Sequence, residues 1–238
     1  SAEKRRTTML VKNWMSKNVI TIDVNDSMQK AISLMKEHKI RMLPVLKRGK
    51  LVGVVSDSDL KRASASDATM LDVHELLYLI AKIKIRDIMV KDPVTVSPDC
   101  TVEETAELLL EHRISGVPVV DEGGIVVGVI TRDDLFKVLI SLSGLGKHGI
   151  QFAFQVEDRA GSIKELTDVI RQHNCKIGSI LSSYEGVPTG FRNVYLRIYD
   201  IPREDLPALQ ADMQKKAKMI YVVDHRDNRR EICHQPGA

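Results

Sequence analysis

Two short segments carry residue types that suit phosphate and sugar chemistry. One is Gly53-Val-Val-Ser56-Asp-Ser-Asp59 and the other is Gly128-Val-Ile-Thr131-Arg-Asp-Asp134. In each, an apolar run opening on glycine ends in a hydroxyl residue, and an aspartate follows three positions later. Glycine lets a backbone approach a ligand closely. A hydroxyl residue at a helix start stands beside free N–H groups and the positive dipole end, which favour an anion such as phosphate. The Thr131 hydroxyl can donate to the same phosphate, and Arg132 adds charge and a fork of donors. Asp134, one turn on, can accept from the 2′ and 3′ hydroxyls of a ribose together. One segment would thus grip a sugar at one end and a phosphate at the other.

The same spacing has a plainer reading. Ser56-x-x-Asp59 and Thr131-x-x-Asp134 also read as helix N-terminal caps with an acid at the third helical position. The two readings are compatible in the empty protein. The first segment suits an anion less well, because Asp57 stands where Arg132 stands and repels phosphate. Arg41, three residues before Pro44, supplies compensating charge, and the equivalent Ser115 is neutral.

The elements that must position these residues come as an internal repeat. Met15 to Leu60 matches Met89 to Leu135. The offset is 74 (Met15 to Met89, Pro44 to Pro118) and becomes 75 after one inserted residue (Gly53 to Gly128). Each copy reads as β-α-β-β-α. Short β-type stretches, Val19 to Ile22 and Val94 to Val96, come first. A helix follows, with Met28, Ala31, Ile32 and Met35 on one face, or Val102, Ala106, Leu109 and Leu110. Thr101-Val-Glu-Glu104 looks like a capping box. Two strands then flank a glycine turn: Leu43–Leu46 with Leu51–Val55, and Val117–Val120 with Ile125–Ile130. A second helix opens at Ser56 and at Thr131. One such unit of roughly 50 residues is too small to bury its own core well, so two copies packed sheet on sheet are expected, with related clefts between them.

Between the copies, Ala63 to Asp67 reads as a loop and Asp72 to Ala81 as a connector helix. After Gly149 the pattern changes. Ile150–Val156 alternates as a strand, and Ser162–His173 is helical with Ile163, Leu166, Val169 and Ile170 on one face. Lys176–Tyr184 and Asn193–Tyr199 read as strands, a helix follows Pro202, and Met219–Val223 is a last strand. This β-α-β-β-α-β order is the ferredoxin-like arrangement. The division expected is 9–62 first repeat, 63–86 connector, 87–142 second repeat, 147–225 C-terminal domain and 226–238 polar tail.

Composition narrows the function. The 238 residues carry 35 basic against 32 acidic side chains, a formal charge of +3, too balanced to imply a nucleic-acid partner. Aromatics are 4%, with Trp14 the single tryptophan, which argues against a base-stacking platform. Cys100, Cys175 and Cys233 are scattered and suggest reduced thiols in a cytoplasmic protein. No apolar run reaches the roughly 18 residues of a membrane helix, so no membrane partner is expected. Residues 1 to 8 are polar and basic, lack a signal-peptide pattern and are set aside, Met9 being a candidate native start. Cys233-His234 lacks partners at metal-ligand spacing, and no metal is expected. No Walker loop, nucleophile elbow or His-Glu-x-x-His pattern is present.

Each repeat resembles a CBS motif, carried by the Pro44-Val45 and Pro118-Val119 strands and by the two Gly-to-Asp segments above. The third unit resembles an ACT domain, carried by Asp158-Arg-Ala-Gly161-Ser-Ile163. The order of modules and the connector from Asp67 to Tyr78 resemble the acetoin-utilisation B-type proteins. The resemblance implies an α+β fold: a pseudo-two-fold CBS pair plus a C-terminal ferredoxin-like ACT domain. It implies an adenine nucleotide as ligand, with no catalytic cofactor. The first site would comprise Thr21, Ile22, Arg41, Pro44, Ser56 and Asp59. The second would comprise Thr95, Val96, Ser115, Val117, Pro118, Thr131, Arg132 and Asp134, with adenine held by backbone near the first strand. An amino acid would bind the ACT loop at Asp158, Arg159, Gly161 and Ser162, although Ala160 replaces a common proline and Lys176 a common asparagine. The expected protein is a non-enzymatic homodimeric regulator, linked to acetoin or acetate metabolism and acting on an unknown downstream protein. The alternatives are an assembly module with empty clefts, an ACT unit used only for dimerisation, and the regulatory piece of an enzyme.

Overall fold

The computed structural model describes residues 8–67 and 82–233. The expected connector helix, Asp72 to Ala81, lies outside them. The chain divides into two compact units, the first up to Phe136 and the second from Lys137.

In the first unit the elements are α1 (Val11–Trp14), β1 (Ile22–Asp23), α2 (Met28–His38), β2 (Met42–Lys47), β3 (Lys50–Ser56), α3 (Asp57–Asp67), α4 (Ile85–Ile88), β4 (Val90–Lys91), α5 (Val102–Glu111), β5 (Gly116–Val120) and β6 (Val126–Thr131). Helix α6 (Arg132–Leu142) runs across the division. Strands β1 to β4 form one sheet in that order, and β5 pairs with β6 in another. Met28, Ala31 and Met35 on α2 are buried against Leu43, Val45 and Val55. Each such side chain contributes about 1.5–3 kcal/mol when fully buried. Helix α5 starts with the capping box expected at Thr101 and Glu104.

Three expectations need correction here. The first β-stretch of each copy is shorter than the apolar run suggested. Only Ile22 and Asp23 pair as a strand, and Val94 to Val96 is reduced to a single parallel bridge from Val96 to Val119. Ala63 to Asp67 is not a loop but the end of α3, where the Ser64 hydroxyl donates to the Leu60 carbonyl at 2.9 Å. The segments leading into the repeats each dock on the other copy. Val11 N–H donates to the Cys100 carbonyl, Val102 N–H to that of Met9, and Ser16 and Val129 exchange both bonds. Reciprocally, Met28 N–H donates to the Ile83 carbonyl and Ile85 N–H to that of Asp26, while Lys91 pairs with Gly53.

The same exchange revises the role of the two glycines. A Cβ on Gly53 would meet the Val90 carbonyl oxygen at 2.7 Å and the Met89 sulfur at 2.8 Å, and one on Gly128 would overlap Met15. These glycines make room for a methionine of the opposite lead-in segment, which is a packing reason for their small size.

In the second unit the elements are β7 (Ile150–Glu157), α7 (Ser162–Gln172), β8 (Lys176–Ser183), β9 (Phe191–Tyr199), α8 (Leu206–Gln214), β10 (Lys218–Asp224) and β11 (Arg229–Ile232). Their sheet has the order β11-β10-β7-β9-β8, with every pairing antiparallel. Phe152, Phe154, Leu196 and Ile198 face Leu166, Ile170, Leu209 and Met213 of the helices. Strand β11 is the third correction. Residues 226–238 were expected as a tail, yet Arg229 to Ile232 form an edge strand on β10. Its exposed, charged residues hide it from any apolar pattern, and charge is what keeps an edge strand from pairing with other chains.

Candidate functional site

The two Gly-to-Asp segments sit where β3 and β6 turn into α3 and α6. Asp59 Oδ2 accepts from the Ser56 backbone N–H at 2.9 Å and from its hydroxyl at 2.5 Å. Asp134 Oδ2 accepts from the Thr131 N–H at 3.0 Å and its hydroxyl at 2.8 Å. Both aspartates are buried, at 8% and 5% exposure. The acid's side of the capping arrangement is therefore formed in both copies, and in the first the Asp59 N–H also donates to the Ser56 hydroxyl at 3.3 Å. Asp59 Oδ1 also accepts from Arg62 at 2.8 Å. A ribose would have to displace that exposed arginine to use this oxygen.

The helix starts are anchored in parallel ways. Asp57 N–H donates to the Arg41 carbonyl and Arg132 N–H to the Ser115 carbonyl, both at 3.0 Å. The first helical N–H of each is thus committed before any anion arrives. Arg132 Nε donates to the Ile114 carbonyl at 3.0 Å, which tethers its guanidinium beside the helix start. Asp57 is neutralised by Lys61 at 2.7 Å, which relieves part of the repulsion expected at the first site.

The remaining first-site residues line up along the sheet. Ile22 pairs with Val45 and is buried, Pro44 pairs with Val54 and is buried, and Thr21 is half-buried. In the second copy Val96, Val117 and Pro118 are buried, Thr95 is half-buried and Ser115 is exposed. Val96 N–H donates to the Pro118 carbonyl at 3.2 Å, so that carbonyl already has a partner. Arg41 stands apart from this row. It lines a cavity of about 770 Å³ between α2 and α3. Lys36 and Lys39 share that cavity. Lining up the copies shows the signal for it, because Leu110 stands where Lys36 stands.

The C-terminal loop commits its charges internally. Arg159 donates to Glu157 and pairs with Glu165, both at 2.8 Å. The hydrogen bond to Glu157 comes first in pushing its guanidinium above the ordinary arginine value. Asp158 accepts from the Tyr184 hydroxyl at 3.3 Å. Gly161 takes the left-handed conformation at the start of α7, and the buried Ser162 donates to the Arg159 carbonyl at 3.1 Å. Arg192 reaches Ser162 at 3.3 Å.

Among the described residues no group of three or more His, Cys, Asp or Glu side chains could hold a metal ion. Nor is any helix among the described residues long and apolar enough to cross a membrane.

Comparison with known proteins adds the following. The family model described as CBS domain matches residues 11–66 and 85–141. An uncharacterised protein of Methanocaldococcus jannaschii is 33% identical over 155 residues, covering 56% of this chain and 92% of the relative. A CBS domain-containing protein of Dictyostelium discoideum is 33% identical over 135 residues, covering 56% of this chain and 93% of the relative. Among solved structures, the CBS domain pair of another protein, in complex with 5′-methylthioadenosine and S-adenosyl-L-methionine, is 33% identical. It covers 55% of this chain and 94% of that one, with a TM-score of 0.48.

Proposed function

The chain belongs to the CBS-domain family, and from that premise we propose that it is a non-catalytic regulator that senses an adenine nucleotide in the clefts of its repeat pair. The observation that carries the reading is the doubled helix start. Ser56 with Asp59 and Thr131 with Asp134 are built alike in both copies, each aspartate held at the mouth of a helix. The second site is the stronger, because Arg132 is tethered beside Thr131 while Asp57 occupies the matching place in the first. Ligand binding would act by favouring one of two arrangements of the pair, which requires unequal affinity for them.

The sequence resemblance extends the proposal. The C-terminal unit is an ACT-like domain with an amino acid as second effector at Asp158 to Ser162. The molecule is a cytoplasmic homodimer acting on a downstream protein, with a link to acetoin or acetate metabolism. The exposed apolar face of α6, with Phe136 at 60% exposure and Leu139 beside it, supports self-association.

A thermal-shift panel of AMP, ADP, ATP, S-adenosylmethionine and amino acids tests this. Ligand at 100 times its dissociation constant adds about 2.7 kcal/mol of stability. In titration calorimetry Asp134→Asn weakens nucleotide binding more than Arg132→Ala, because the aspartate anchors two hydroxyls. A second reading, an assembly module with empty clefts, is favoured by the hydrogen bonds that tie both aspartates to their own helix starts. No shift with any ligand would select it.

A further inference from the structure

We propose that the cavity between α2 and α3 binds a small organic phosphate that carries an apolar body. The cavity, about 770 Å³, lies within the size of small-molecule clefts, roughly 300–1,000 Å³. Its floor is apolar: Met35 and Leu60 are buried, and Ile32 and Ile40 extend the surface. Its rim carries Lys36, Lys39 and Arg41, all exposed, and none of the three is engaged in an ion pair among the described residues. The acid in the lining, Asp57, is taken by Lys61 at 2.7 Å.

Three uncommitted cations over an apolar floor fit one kind of ligand. Two lysines act as point charges and the arginine as a planar fork, a set that suits a phosphoryl dianion better than a single carboxylate. The carboxyl end of α2 opposes an anion with about half an elementary charge, which three full charges outweigh. The second repeat supplies an internal control. Leu110 and Ser115 stand where Lys36 and Arg41 stand, and Phe136 and Leu139 replace Lys61 and Ser64. Leu110 is 74% exposed. Arg113 keeps the charge of Lys39, so it is at Lys36 and Arg41 that the backbone does not require charge and the first repeat adds it.

This site adjoins the first nucleotide cleft without coinciding with it. It shares Arg41 with the first cleft, but Ser56 and Asp59 do not line it. Titration calorimetry on the full chain tests it with phenyl phosphate, inorganic phosphate and phenol as probes. Phenyl phosphate is expected to bind at least about tenfold tighter than inorganic phosphate, a difference of about 1.4 kcal/mol. Phenol should give no measurable heat. The double variant Lys36→Glu, Lys39→Glu should weaken phenyl phosphate more than about tenfold. AMP binding should survive in that variant, and phenyl phosphate binding should survive in Asp59→Asn and Asp134→Asn. Both lysines are exposed, and an unchanged melting temperature would confirm that the variant folds. The proposal is overturned by absence of phenyl phosphate binding, or by binding that ignores the lysine reversals. It is equally overturned by equal affinity for inorganic phosphate, which means an adventitious ion only, or by loss of phenyl phosphate in the aspartate variants, which places it in the clefts.

Discussion

The two repeats share a core and differ at the surface. Met35 and Leu109 are buried at matching places, as are Val45 and Val119, and Val55 and Ile130. On the helical faces the match fails. The first repeat presents Lys36, Arg41 and Lys61, and the second presents Leu110, Ser115 and Phe136. The reason is energetic. A change in a close-packed interior is felt at the scale of one methylene, whereas a surface change away from special features usually stays within about 0.5 kcal/mol. Duplication thus leaves the inner faces constrained and the outer faces free to diverge, cationic in one copy and apolar in the other.

The glycines offer the sharpest test of how alike the copies are. Gly53→Ala should lose about 2 kcal/mol, since its Cβ would meet the Val90 carbonyl and backbone must move. Gly128→Ala should lose less, about 1 kcal/mol, because the atoms in its way belong to the flexible Met15 side chain. Urea unfolding of both variants reads the difference, and Met15→Ala should relieve Gly128→Ala. Equal losses would show that the two lead-in segments are equally rigid.

A smaller effect separates the two clefts. Asp57→Arg should strengthen nucleotide binding at the first site several-fold, by about 1 kcal/mol, because it places there the charge that Arg132 supplies at the second. Calorimetric stoichiometry rising from one ligand per chain to two would be the clearest outcome. Weaker binding would break the correspondence between the sites.

The helix caps give the smallest contrast. Thr101→Ala should cost about 1 kcal/mol and Ser27→Ala less, since α5 has a reciprocal box and α2 only the Ser27 hydroxyl accepting from Lys30 N–H at 3.3 Å. The Thr101 backbone N–H, followed by its hydroxyl, holds the Glu104 carboxyl below the ordinary glutamate value. A lowered carboxyl favours the folded state above its unfolded value and loses that contribution as pH falls through its folded value. Glu104→Gln should therefore be less stable than the parent chain near neutrality, with the gap closing on acidification. Melting curves from pH 7 to pH 3 measure this.

Much of the plan was legible from local spacing. The repeat, α2, α5 and the strand pairs around the glycine turns follow from periodicities that neighbours along the chain impose, and the Thr101 box from residues three apart. The candidate aspartates were legible too, because Ser56-x-x-Asp59 and Thr131-x-x-Asp134 are local signatures. Strand β11 was not, since its charged residues form a strand only because β10 offers an open edge. The end of α3 was missed because small polar residues favour loop and helix about equally.

Residue order alone settled the main helices α2, α5 and α7, the capped starts of α2 and α5, and that one β-α-β-β-α plan occurs twice. Tertiary structure alone decided that Met15 fills the space left by Gly128 and Met89 that left by Gly53, and that Lys36, Lys39 and Arg41 gather around one apolar floor. Local signals act over three or four residues. These contacts join groups up to about a hundred positions apart, whose meeting depends on how the whole chain closes its core.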